Sequence, residues 1–394
     1  MRSAYEAQSE TSAFGIVRAG GPGGNGRIMT TPLPPGPPAR TMPKADVSDW
    51  ASYADRIDVR SPSEFAEDHV PGAVNLPVLD DAERKLVGTI YVQQSAFEAR
   101  KIGAALVARN IAGICETHAR DKPREFAPLV YCWRGGQRSR SLAHVLAEIG
   151  FRPVQLDGGY RAWRRHVVMM LMHLPQQFQL RVVCGLTGAG KSRLIEAIAA
   201  EGGQVLDLER LARHRGSLLG DLPGDPQPTQ KMFESTLLAA LSALDPARPV
   251  FVESESRRIG RLQLPDDLLA TMRASPCIRL ETERDLRVAM LAGDYAHLAV
   301  DHARLDAQLA PLAKLHGKAT IARWMEWARA GATTELAADL LDMHYDPSYT
   351  RAIRRNFPLL RHAEVLRVHD AADATFRGLA RRLLHDDSPK TAAA

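Results

Sequence analysis

A run of strand-forming residues, Leu180-Arg181-Val182-Val183-Cys184, leads without a break into Gly185-Leu186-Thr187-Gly188-Ala189-Gly190-Lys191-Ser192. No other feature of the 394-residue chain restricts its fold as strongly. The helix expected next has Leu194, Ile195 and Ile198 on one face and stops at Gly202-Gly203. A strand, a G-x4-G-K-S turn and a helix in that order form a P-loop: Gly185, Gly188 and Gly190 let backbone N–H groups face a di- or triphosphate. Lys191 supplies a point charge there, and the Ser192 hydroxyl can hold a magnesium ion. Val205-Leu206-Asp207, Pro249 to Glu253 and Ile278 to Glu281 read as further strands of a parallel sheet, the last of these closing it. Asp207, Glu253 and Glu255 lie where open α/β sheets bind ligands, so each is a candidate to orient a metal-bound water or a leaving group. Solvated carboxylates, or ion pairs with Arg257 and Arg258, are the alternative.

A second loop carries a nucleophile. Leu129 to Tyr131 is a short strand, and Cys132-Trp133-Arg134-Gly135-Gly136-Gln137-Arg138-Ser139 follows. A helix is expected from near Ser139, with Leu142, Val145, Leu146 and Ile149 on one face. A thiol between a strand end and a helix N-terminus, with Arg134 and Arg138 beside it, is in a field that favours the thiolate. Gly135 and Gly136 free backbone amides to cradle an anion or a sulfur-like atom. Five residues separate Cys132 from Arg138. That spacing also resembles the phosphate-binding loop of cysteine phosphatases, and the loop pattern alone does not decide between the two chemistries.

The residues around this loop carry a further resemblance. Ile57-Asp58-Val59-Arg60, the run from His69 to Pro77, Tyr131-Cys132, and Leu156-Asp157-Gly158-Gly159-Tyr160-Arg161-Ala162-Trp163 occur in the order of a rhodanese-type sulfurtransferase domain, which the region resembles. The resemblance implies a cysteine that carries a transferred atom in a cradle of backbone amides. The expected fold is therefore α/β, with a rhodanese-like domain over 44–168, a linker over 169–179 and a P-loop parallel-sheet domain over 180–300. A helical C-terminal region follows over 301–385, where Trp324 and Trp327 read as core. The Gly- and Pro-rich leader 1–43 and the tail 386–394 are expected to be disordered. No stretch approaches the roughly twenty apolar residues of a membrane span, so no membrane partner is expected. Cys115, Cys184 and Cys277 are expected to be small buried hydrophobes, and four scattered cysteines fit a reducing cytoplasm. The net charge of +5 is mild support for a polyanionic partner.

Joined to a P-loop, the thiol loop narrows the resemblance. Asp207 to Ser217, Gln227-Pro228-Thr229-Gln230, Glu253 to Gly260 and His344-Tyr345-Asp346-Pro347-Ser348-Tyr349, with Cys132 to Gly136, closely resemble the tRNA 2-selenouridine synthase family from about residue 46 to 380. The resemblance implies an RNA-modifying transferase of the anticodon wobble 2-thiouridine. It would attach a geranyl group from geranyl diphosphate to the sulfur, then replace the S-geranyl group with selenium from selenophosphate. It further implies that Cys132 carries or attacks selenium, that Arg134, Arg138 and the loop amides hold selenophosphate, and that Gly188, Gly190, Lys191 and Ser192 hold the prenyl diphosphate. No tightly bound cofactor is expected, though Ser192 could recruit Mg2+; tRNA is the expected partner, with a supplier of selenophosphate an optional one. Arg213, Arg215, Arg257 and Arg258 are candidate contacts to RNA phosphate, with a solvated helix face the alternative for the first two. A cysteine-dependent phosphatase and a nucleoside-triphosphate-dependent kinase with an inert rhodanese module are the rival functions.

Overall fold

The computed structural model describes residues 14–15, 31–32, 41–217, 219–222, 224–294 and 302–386. Residues 1–42 and 43–394 form two separate units. In the first, Phe14–Gly15 pairs antiparallel with Thr31–Pro32. The rest of the leader, and the tail beyond residue 386, lie outside the described residues, and with them most of the disorder expected there.

The second unit is built on two five-stranded parallel sheets. One runs in the order Lys44–Ala45, Val154–Leu156, Leu129–Tyr131, Arg56–Asp58, Ala73–Asn75. The other runs Glu364–Val368, Cys277–Thr282, Leu180–Cys184, Val250–Glu253, Gln204–Leu206. Leu129, Val130 and Tyr131, like Val182, Val183 and Cys184, are buried on both faces, as an unbroken apolar run in a parallel sheet requires. Each therefore takes the central place in its sheet. All strands being parallel, the Cys132 loop and the Gly185–Ser192 loop both leave from the middle of a carboxyl edge, the position where such sheets bind ligands.

Two expectations change. The stretch read as a linker, 169–179, is not one: the helix Gly159–His173 runs through it into a 3-10 turn, Leu174–Gln177. Tyr160, Trp163, Val167 and Leu171 are spaced three and four apart and form the buried face of that helix. It packs against the helices Gln230–Ser242 and Asp266–Ala274. Trp163 donates its indole N–H to Ser235 Oγ (3.2 Å) at the contact. One apolar core thus continues from Tyr131 and Leu156 through Trp163 to Phe233, Leu237 and Leu269. The change of composition that suggested a boundary is the helix's other face, where Met169 and Met172 are exposed.

The second change concerns the sheet's end. Glu364–Val368 pairs parallel with Cys277–Thr282, so the strand over 278–281 has a neighbour and does not close the sheet. The helical region around the fully buried Trp324 is an insertion between two adjacent strands, and the chain returns to complete the sheet. The last helix, Asp373–Asp386, then lays Phe376, Ala380 and Leu383 on the helix Lys191–Ala200 that follows the P-loop. A helical hairpin that the sequence reading left unassigned, Asp81–Gln93 and Ala96–Ile114, separates Ala73–Asn75 from the cysteine strand.

Candidate active site

Cys132 is 3% exposed at the end of its strand. Its sulfur accepts the Gly136 N–H and the Ser139 hydroxyl, both at 3.3 Å. Gln155, on the neighbouring strand, donates through Nε2 to Ser139 Oγ (2.8 Å), leaving the serine's own hydrogen for the sulfur or for the Gly136 carbonyl (3.2 Å). The helix begins at Gln137, two residues earlier than expected, so its first turn with its free N–H groups lies against the thiol. The loop keeps this shape because two backbones touch. A Cβ on Gly159 (φ +58°) would lie 2.3 Å from the Cys132 carbonyl oxygen, and one on Gly135 (φ +66°) 2.7 Å from that of Leu156. Gly159→Ala should therefore cost at least about 2 kcal/mol, from left-handed strain plus overlap. A melting temperature equal to the wild type's would contradict this.

The two loop arginines separate. Arg134 is exposed, and its guanidinium has no ion-pair partner among the described residues. Arg138 corrects the expectation of a free anion-holding cation. With the helix starting at Gln137 it falls on the first turn, where Glu64 takes its guanidinium (2.8 and 3.5 Å). Burial works against the Glu64 charge, but the Arg138 guanidinium outweighs it and holds the carboxyl below its usual range. A phosphatase reading of the C-x5-R pattern needs that arginine on the phosphate, so this pairing removes its main support.

In the second loop, Gly188 (φ +74°) and Gly190 (φ +90°) take left-handed turns. Gly190 has a second reason to lack a side chain: a Cβ there would lie 2.7 Å from the Phe376 ring. Lys191 Nζ donates to the Gly185 carbonyl (3.2 Å) and lies 5.4 Å from the centre of the Tyr349 ring. Ser192 Oγ donates to Glu209 Oε2 (2.6 Å), and the Glu209 N–H in turn donates to Glu253 Oε1 (3.0 Å). Glu253 is 1% exposed, and its Oε2 has no hydrogen-bond partner. Asp207 is different. It caps the helix Leu208–Ala212, accepting the Arg210 N–H (2.8 Å), so of the three candidate carboxylates this one has a structural task.

Crowded burial sets the charge of this cluster. Burial, then Glu209, Asp207 and Glu255, push Glu253 well above the ordinary carboxyl range. Burial, then Glu209, push Glu255 up to about 8, with Lys191 opposing. Desolvation works against the Lys191 charge, but Tyr349 and the three glutamates together hold the ammonium above its usual value. A carboxyl that binds its proton more tightly folded than unfolded removes stability as pH rises from 4.5, its unfolded value, through about 8. Glu255→Gln removes that loss. The melting temperature of this variant, measured against the wild type without ligand, should climb steadily between about pH 5 and 8. A difference independent of pH would contradict the assignment.

The helical insertion walls this site. Tyr349 shares a hydrogen bond with Ser254 (2.8 Å), between Glu253 and Glu255. Arg287 donates to the Thr187 carbonyl (3.0 Å) in the phosphate loop and grips Asp346 with both terminal nitrogens (3.0 and 2.5 Å). Of the arginines expected to meet RNA, three are paired: Arg213 with Asp225 (3.1 Å), Arg215 with Asp294 (3.6 Å) and Arg257 with Asp266 (2.8 Å). Arg258 is exposed with no ion-pair partner among the described residues. Cys184 and Cys277 are buried as expected, whereas Cys115 is only half-buried. Among the described residues no three histidines, cysteines or carboxylates converge as a metal centre, and no helix is long and apolar enough to cross a membrane. The sequence did not single out Glu64, Gln155, Glu209 or Tyr349 as site residues; the motifs containing Glu209 and Tyr349 were its only signal for them.

The comparisons with known proteins follow the same division. Residues 47–166 match the model of the rhodanese-like domain, and residues 178–318 that of the tRNA 2-selenouridine synthase AAA domain. A tRNA 2-selenouridine synthase of Nitrosomonas europaea is 38% identical over 250 residues, covering 61% of this chain and 63% of the relative. One from Bdellovibrio bacteriovorus is 37% identical, covering 61% and 64%. One from Cupriavidus pinatubonensis is 38% identical over 275 residues, covering 67% and 71%. The chain thus spans slightly under two thirds of the length of the first two relatives.

Proposed function

The chain belongs to the tRNA 2-selenouridine synthase family, and from that premise we propose that it converts the wobble 2-thiouridine of tRNA to 2-selenouridine in two consecutive displacements. One observation carries the reading. A single compact unit presents a thiol held by two donors and, at the centre of another sheet, a lysine-bearing phosphate loop. Two phosphate-bearing co-substrates account for two such cradles.

In the first displacement the thiouridine sulfur attacks C1 of geranyl diphosphate. The S–C bond forms, the C–O bond breaks, and diphosphate leaves into the Gly185–Ser192 loop, where Lys191 and the backbone amides take up its charge. Ser192 and Glu209 are hard oxygen donors and fit a magnesium ion completed by phosphate oxygens and water; bound there it would neutralise the diphosphate. In the second displacement the S-geranyl group is a better leaving group than a free thiolate. Cys132 adds at C2 and expels geranylthiolate. Selenide, freed from selenophosphate by water with release of phosphate, then displaces Cys132 and restores the thiol. This sequence is redox-neutral. A selenium atom carried on Cys132 as a perselenide would instead need an oxidant, because selenophosphate selenium is already fully reduced. Arg134, exposed and unpaired, is the cation for the phosphate end of the donor.

The test is mass spectrometry of tRNA nucleosides after incubation with geranyl diphosphate and selenophosphate, each omitted in turn. Selenophosphate omitted should leave S-geranyl-2-thiouridine, and geranyl diphosphate omitted should leave 2-thiouridine unchanged. Selenouridine formed without the prenyl donor would overturn the two-step reading.

A further inference from the structure

We propose that Trp133 is the platform on which the wobble base of the RNA stacks while that base is presented to Cys132. The proposal rests on the RNA-substrate reading above and names the contact that positions that substrate. Trp133 follows the nucleophile directly and is 36% exposed. A lone exposed tryptophan is commonplace, so the argument rests on what lies beneath it. Its ring is 5.2 Å from that of Tyr160, tilted by 32°. The Arg60 guanidinium lies 3.9 Å from the centre of the Tyr160 ring. Arg60 is itself fixed by Asp58 (2.6 Å) and the Asp68 carbonyl (2.6 Å), and the Tyr160 hydroxyl by Asp68 Oδ2 (2.8 Å). The backbone locks the upper layer as well: the Tyr160 N–H donates to the Cys132 carbonyl (2.8 Å) and the Arg161 N–H to that of Trp133 (3.1 Å).

The result is a chain of contacts from the buried Arg60 guanidinium through the buried Tyr160 ring to the partly exposed Trp133, which is adjacent in sequence to the thiol. Its indole N–H has no hydrogen-bond partner among the described residues, which leaves a donor free at that surface. Arg134, next along the loop, is exposed and unpaired. A flat apolar face, a spare N–H and a free guanidinium within two residues match a nucleotide: base on ring, base edge on N–H, phosphate on arginine. The rigidity matters because a platform ordered before binding costs the RNA little further entropy.

The experiment is a thermodynamic cycle in binding to an anticodon stem-loop RNA, at one stated salt concentration. Wild type, Trp133→Phe and Trp133→Ala are each titrated with the 2-thiouridine RNA and with the same RNA abasic at the wobble position. Trp133→Ala should bind the intact RNA about tenfold or more weakly, the size of one lost base–aromatic stack, and Trp133→Phe should recover most of that. On the abasic RNA the three proteins should bind alike. An equal loss on both RNAs, or no loss on either, would overturn the platform while leaving the RNA reading intact. Failure of the wild type to bind the intact RNA would remove both. Melting curves of the variants, expected to match the wild type because the ring is partly exposed, separate a contact effect from misfolding.

Discussion

Cys132→Ala should incorporate no selenium, and the S-geranyl intermediate should accumulate in its place. The sulfur sits where Gly136 N–H and Ser139 Oγ converge, both at 3.3 Å, at the start of the helix Gln137–Ile149. Alanine keeps the small volume and leaves the Gly135–Gly159 contact untouched, so the loop should hold its form. What is lost is the only nucleophile on that loop that can add at C2 and be displaced. The effect expected is complete: selenouridine below detection by nucleoside mass spectrometry, with the geranylated nucleoside formed at the wild-type rate. Wild-type selenation by this variant would remove Cys132 from the mechanism. Cys132→Ser is a stricter control, since it keeps a donor and acceptor but supplies a far poorer nucleophile at neutral pH.

Lys191→Ala should weaken geranyl diphosphate binding on the order of 10- to 100-fold, since a charged hydrogen bond contributes about 1.5–3 kcal/mol. The ammonium is poised for this. It donates to the Gly185 carbonyl (3.2 Å), beside Tyr349 and three glutamates that keep it charged. Its removal has a second consequence. Glu255 loses the cation that opposes its rise, so the unliganded variant should be less stable than the wild type at pH 8, with the gap narrowing toward pH 5. Calorimetric titration with geranyl diphosphate reads the first effect and thermal melting the second. Wild-type affinity would show that the prenyl donor binds elsewhere.

The form of both loops was legible because it is local. Gly185 to Ser192 and Cys132 to Ser139 each carry their own turn residues, helix start and reactive side chain within eight positions, with a strand immediately before. Sheet class followed from the same apolar runs. What sequence could not deliver was side-chain pairing across the fold. Arg138 meets a glutamate 74 residues away, and Tyr349 reaches a serine 95 residues away. Nothing in the local pattern of Arg138 distinguishes a free guanidinium from an engaged one. The linker was misread for another reason: Met169, His173 and the glutamines looked like a loss of pattern, yet the buried series Trp163, Val167, Leu171 continued at helical spacing beside them. Glu364–Val368 was missed because it lies beyond a long helical insertion, and a five-residue strand with two charged residues gives little signal there.

The joint between the sheets also bears on the proposal that one uridine visits two cradles. Trp163 to Ser235, Lys231 to Glu67 (2.6 Å) and a continuous apolar core leave no flexible connector between the loops. On the proposed two-step reading, the base would therefore pass from one loop to the other by a movement of the RNA rather than of a hinge between the sheets.

The most direct test follows from that separation of labour. Synthetic RNA already carrying S-geranyl-2-thiouridine is given to Lys191→Ala with selenophosphate, and 2-selenouridine is measured over time. If the two loops act in succession on one base, this variant should make selenouridine at the wild-type rate, the prenyl step having been bypassed. Selenation that stays as slow as on unmodified RNA would show that the lysine loop serves the selenium step too, and the assignment of one displacement to each loop would fall.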